Sequence, residues 1–100
     1  MMQSSLDGID IVNNRNESRF EAKVGDSLAF TEYSFAGMNI VFPHTEVPVE
    51  FEGRVVASKL VETALNYARD NDLKVIPICP FVAAFIRRNP EYQPLVWSFK

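Results

Sequence analysis

One hundred residues, 47% of them apolar and 23% charged, suffice for one core and not for two. That composition excludes a fibrous or mostly disordered chain. The net charge of −3 argues against general binding to DNA or RNA, which needs a basic footprint, and one cysteine with one histidine makes neither an internal disulfide nor a zinc cluster.

Residues 1–8 are small and polar and read as a disordered N-terminus, with residues 9–100 as a single domain. The start has neither a basic region nor an apolar stretch, so no signal peptide is expected. No run reaches the roughly 20 apolar residues of a membrane span. The expected compartment is the cytoplasm. Ile9 to Val12 predicts a first strand, and Asn13 to Glu17 a polar turn. Phe20, Ala22 and Val24 alternate with Arg19, Glu21 and Lys23, the period of a strand with one wet face. After Gly25-Asp26, residues Leu28 to Phe35 alternate in the same way and predict a third strand. Ala36-Gly37 turns the chain into Met38–Val47, a fourth strand rich in β-branched and aromatic residues. Three short turns in succession imply an antiparallel meander.

The periodicity changes after Pro48. Val56, Ala57, Leu60, Val61, Ala64, Leu65 and Ala68 recur at intervals of three and four and predict a helix over Arg54–Arg69, ended by Asn71-Asp72. Leu73 to Cys79 predicts a fifth strand. Its Val75–Ile78 stretch is apolar on both faces, as in a strand with a parallel neighbour. With Met38–Val47 and the helix it makes a βαβ unit with a right-handed crossover. Pro80 opens a second helix over Phe81–Arg88, Asn89-Pro90 stops it, and Tyr92 to Phe99 closes the chain. The fold class is α+β or α/β: a mixed sheet of about five strands, a meander plus one parallel strand, with two main helices.

The chemistry concentrates at the strand–loop–helix junction from Val47 to Ala57. A helix N-terminus offers unpaired N–H groups and suits an anion, although most such loops bind nothing. Glu50 and Glu52 place negative charge beside it. Arg54 and Lys59 are spaced to meet a phosphate or to form a solvated face, and Arg87-Arg88 is the other basic pair. His44 reads as a general base or as a structural imidazole, Glu46 as a base or as a surface carboxylate. Phe81, Phe85, Tyr92 and Trp97 read as core or cleft wall. Cys79 reads as a nucleophile or as a small buried hydrophobe, with no acid or base partner identifiable from spacing.

The runs His44-Thr45-Glu46-Val47-Pro48, Glu52-Gly53-Arg54-Val55-Val56-Ala57-Ser58-Lys59-Leu60-Val61 and Ala64-Leu65-Asn66-Tyr67-Ala68-Arg69 resemble the Gcn5-related N-acetyltransferase superfamily. With Lys74 to Val82 and Asn89-Pro90-Glu91-Tyr92, the resemblance narrows to its small YjdJ-like single-domain group. It implies a minimal acyl-CoA N-acyltransferase fold and acetyl-CoA as cosubstrate, with no metal. It implies an amine acceptor, a small amine or a protein amine; charge and the lack of an apolar span speak against nucleic acid and membrane as partners. It puts pantetheine between the fourth and fifth strands, on backbone groups near Glu46 and Val47. It puts the pyrophosphate on the loop Glu52, Gly53, Arg54, Val55, Val56, Ala57 and Ser58, and Cys79 near the thioester as the catalytic candidate.

Three positions depart from the family pattern. Glu52 stands where Arg or Gln is usual. Val55 stands where the family has Gly, which costs about 1–3 kcal/mol if positive φ is required. Phe85 stands where a Tyr is expected to protonate the departing thiolate. The expectation is a weak acetyltransferase working by direct attack of the amine, or else a CoA-binding or interaction module with little activity.

Overall fold

The computed structural model describes residues 9–24, 26–48 and 55–98. Strands β1 (Asp10–Asn14), β2 (Arg19–Val24) and β3 (Ser27–Glu32) form the expected antiparallel meander. The period-two pattern sorts their side chains. Phe20, Ala22, Ala29 and Thr31 are buried, whereas Arg19, Glu21 and Phe30 keep partial access to solvent. The first turn is shorter than its composition suggests. Asn13 and Asn14 pair within β1, opposite Phe20 and Arg19, and the reversal is confined to the residues after them. Asn14 Oδ1 accepts from the Glu17 N–H at 3.2 Å, and Ser18 takes φ 56° to finish the turn.

The third and fourth predicted strands each break in two. β3 is followed, after Tyr33, by β4 (Ser34–Ala36). A two-residue loop with Gly37 at φ 64° leads into β5 (Asn39–Val41), which gives way after Phe42-Pro43-His44 to β6 (Thr45–Glu46). Cross-strand register shows the cause. Phe30 lies opposite Glu46 and Thr31 opposite Thr45, a register that would bring Ser34 opposite Phe42, yet Ser34 lies opposite Val41. One extra residue is therefore held on the β5–β6 side, as a β-bulge. Pro43 sits in that stretch and has no N–H to give to a ladder.

The break divides the strands into two sheets, ordered β1-β2-β3-β6 and β4-β5-β7. Strand β7 (Lys74–Ile76) runs parallel to β5, Ile40 opposite Val75, as the βαβ reading requires. It is shorter than predicted. Pro77 ends the ladder, the Ile78 N–H turns back to the Ile76 carbonyl at 3.1 Å, and Ile78 is 63% exposed instead of buried on both faces.

Helix α1 (Val55–Asp70) packs against β2, β3 and β7. It buries Ala57, Leu60, Val61, Ala64, Leu65 and Ala68, the face its periodicity predicts. Its end is a Schellman cap. Leu73 N–H donates to the Ala68 carbonyl at 2.9 Å and Asp72 N–H to the Arg69 carbonyl at 3.2 Å, with Asp72 at φ 58°. Helix α2 (Pro80–Arg88) follows β7 with Cys79 as its N-cap residue and Pro80 at its first turn. A 3-10 helix over Pro90–Leu95 leads to Val96, which bridges Val75 in parallel. Ile40, Phe42, Leu60, Val61, Leu65, Val75 and Val82 make the centre of the core. Each contributes about 1.5–3 kcal/mol of apolar burial.

Candidate functional site

The split between the sheets is where the chemistry-bearing residues collect. Through Phe42 the second strand of the long hairpin has neighbours on both sides. The Phe42 N–H donates to the Ile76 carbonyl at 3.1 Å, and the Cys79 N–H donates to the Phe42 carbonyl at 2.8 Å. Among the described residues only β3 remains beside it after Phe42, and β6 is the edge of its sheet. The Glu32 N–H donates to the His44 carbonyl at 2.9 Å, so His44 turns its main chain to β3. Strand alternation gives Glu46 the same orientation and turns the N–H and C=O of Thr45 to the open edge, and those of Val47 too if carried one residue further.

The inner side of the split carries a chain of three polar groups. The Cys79 thiol donates to Thr45 Oγ1 at 3.4 Å, and Thr45 Oγ1 is 2.8 Å from Thr31 Oγ1. Cys79 is buried, and Thr31 is the fully buried polar side chain of the core. Both readings of Cys79 therefore keep their footing. It is packed like a small hydrophobe, and its thiol meets β6 through the Thr45 hydroxyl. Neither threonine had a role in the sequence reading. The inward position of Thr31 is legible in its alternation with Ala29 and Tyr33; its contact with Thr45 depends on cross-strand register.

The outer side of β6 is different. His44 Nε2 and Glu46 Oε2 are 3.0 Å apart and their side chains are 50% and 61% exposed, so the histidine is not a core residue and the glutamate is not a lone surface carboxylate. The Phe30 ring lies edge-on to His44 at 6.2 Å, and the Arg19 guanidinium sits 4.5 Å over the same Phe30 ring. Arg19 and Asn14 both donate to Glu21. Burial pushes the Glu21 carboxyl up, but the two hydrogen bonds and the Arg19 charge together hold it below the usual range.

Of the loop residues expected to hold a pyrophosphate, Glu52, Gly53 and Arg54 lie outside the described residues, as does Glu50. Val55, Val56, Ala57 and Ser58 form the first turn of α1. Val55 is the first residue of α1, and a helical backbone asks no positive φ of it, the alternative in which Val55 costs little. Lys59 is exposed on the next turn, and Arg87 and Arg88 are exposed at the far end of α2 from Cys79. Phe85 is buried, its ring 6.0 Å from that of Tyr92, whose hydroxyl donates to Asn66 Oδ1 at 3.0 Å. Trp97 is 40% exposed, which takes it out of the core where the sequence allowed it. Among the described residues no cluster of three or more acidic, His or Cys side chains is arranged for a metal, and no helix is long and apolar enough to cross a membrane.

A family model described as GCN5-related N-acetyl-transferase matches residues 19–95. Protein NATD1 of Gallus gallus is 30% identical over 90 residues, 87% of this chain and 82% of that one. Protein NATD1 of Danio rerio is 34% identical over 88 residues, 85% of this chain and 80% of that one. The NMR solution structure of a GCN5-like protein from Staphylococcus aureus matches at a TM-score of 0.69 and 23% identity, covering 93% of this chain and 92% of that one. That likeness bears out the mixed α/β fold with two main helices.

Proposed function

The chain belongs to the GCN5-related N-acetyltransferases, and on that premise we propose that it binds acetyl-CoA in the split between β6 and β7 and transfers the acetyl group to an amine. The observation that carries this reading is the open edge of β6 beside the parallel β5–β7 pair. An extended ligand with amide groups finds main-chain partners there at Thr45 and Val47, whereas the main chain of Glu46 is turned to β3. The first turn of α1, Val55 to Ser58, supplies N–H groups for a pyrophosphate, with Glu52, Gly53 and Arg54 preceding it in sequence. Acetyl-CoA supplies an acyl group already activated as a thioester. His44 and Glu46 hold each other and would act as one unit in taking a proton from the amine. We favour direct transfer over an acetyl-Cys79 carrier, because the thiol's partner is a hydroxyl and not a base. The reading extends to the small YjdJ-like single-domain group in the cytoplasm, with residues 9–100 as one domain. Its support is the shortness of the relatives, of which this chain covers about four fifths.

Phe85 favours a second reading, a CoA-binding module with little turnover, because a buried phenylalanine donates no proton to a departing thiolate. An amide-shift map with CoA, read beside turnover of acetyl-CoA with a panel of amines, separates the two. Shifts at Thr45 to Val47 and Val55 to Ser58 with turnover support the transferase. The same shifts without turnover support the module. No shifts at about millimolar CoA, a weak limit for any specific site, reject the cleft. Val55→Gly should leave CoA affinity within about twofold, since the helix asks no positive φ of that position.

A further inference from the structure

We infer that Thr45, backed by Thr31, is a positioning residue for the Cys79 thiol. The thiol, the Thr45 hydroxyl and the Thr31 hydroxyl form one line of contacts, 3.4 Å and 2.8 Å long. None of the three has another hydrogen-bond partner among the described residues. The hydrogen count decides what such a line does. With the thiol protonated there are three hydrogens for two links, so one hydrogen finds no acceptor within the line. With the sulfur as thiolate there are two hydrogens for two links. Thr31 then donates to Thr45, and Thr45 donates to the sulfur. The S–H bond breaks, its proton passes to a buffer base, and both hydroxyls keep theirs. Thr31 is fully buried, so water does not compete for its side of the line.

No charged side chain of a described residue bonds to the thiol. The His44–Glu46 pair lies on the other face of β6, Lys74 of β7 donates to the Pro94 carbonyl at 3.0 Å, Lys59 of α1 is exposed, and Arg87 and Arg88 stand at the opposite end of α2. Reactive cysteines elsewhere are held by a cation or a helix N-terminus. Here Cys79 caps α2, which alone makes no site, and the two hydroxyls supply the donors. The inference rests on the reading above only in taking the split as the functional cleft.

The test is the alkylation rate of Cys79 by iodoacetamide near neutral pH in the full chain. Thr45→Val keeps the shape and β-branching of the side chain and removes the donor; it should slow alkylation about tenfold, the scale of one hydrogen bond to a charged group. Thr45→Ser should restore most of the rate, which a purely steric role for the threonine would not predict. Thr31→Val should fall between. If Thr45→Val disturbs the fold, the double variant Thr31→Val/Thr45→Val, with two apolar groups face to face, carries the same expectation. A Thr45→Val or double-variant rate equal to or above the parent's, or no rescue by serine, overturns the inference. Added CoA should protect Cys79 in the parent chain. A Thr45 effect without such protection counts against acetyl-CoA in the split and not against the role of Thr45.

Discussion

Tyr33 sits at the bulge, and its phenol reaches across to Asn13 Oδ1 at 2.7 Å while its ring lies 5.4 Å from that of Phe20. Tyr33→Phe keeps the ring and strands the amide oxygen. It should cost about 1 kcal/mol, read as a lower urea midpoint at unchanged m. Burial raises the Tyr33 phenol above its ordinary 10.0, so the neutral form is the native one. Its contribution is complete below that value and is lost as pH rises through the higher folded value. Glu21 behaves in the opposite sense. Its folded carboxyl titrates below the ordinary 4.5, so it stabilises the fold above that pH and the contribution fades as pH falls through the folded value. Thermal melts from about pH 6 down to about pH 3 should therefore show a shallower acid limb in Glu21→Gln than in the parent. An equal slope in the two would assign the acid limb to other carboxylates. Pairs such as Arg19–Glu21 are legible in a sequence because they lie two apart on one strand face. Tyr33–Asn13 and Thr31–Thr45 are not, because each needs the register of a second strand.

Helix α1 shows how much a regular element discloses of itself. Its buried face follows from spacing alone, since the 3.6-residue period is a property of one segment. Its cap also leaves a substitution open. Asp72 holds the left-handed position of the Schellman turn at φ 58°, a conformation glycine adopts without steric cost. Asp72→Gly should raise stability by roughly 0.5–1 kcal/mol in urea titration, and Asp72→Val should lower it by at least as much. The strands disclose less. Composition carries a strand reading straight through Pro43, which has no N–H for the ladder, and through Pro77, after which the Ile78 N–H turns back to the Ile76 carbonyl. The bulge at Phe42–His44 is a relation between two strands and has no single-segment signature. The same limit hid the polar line at the split, whereas the helix start and Cys79 stood out as local features.

At the scale of the molecule, the parallel pairing of β5 with β7 has a kinetic consequence. The β1–β2–β3 meander closes through short turns, but β7 reaches β5 only after the whole of α1 has been laid down between them. Contacts that distant in sequence form late, because loop closure must precede them. Val75→Ala removes a fully buried side chain at that pairing and should cost about 2 kcal/mol. Nearly all of that loss should appear as faster unfolding, with refolding little changed, while Phe20→Leu in the meander should slow refolding. A Val75→Ala chain that refolds in proportion to its lost stability would reverse the order. If β7 is last to dock, it is also first to leave. Native-state hydrogen exchange should find the Val75 and Ile76 amides opening at lower free energy than those of Ala22 and Ala29. Partial undocking of β7 would then widen the wall facing β6 while the meander stays intact, giving a ligand a way in that global unfolding does not have to provide.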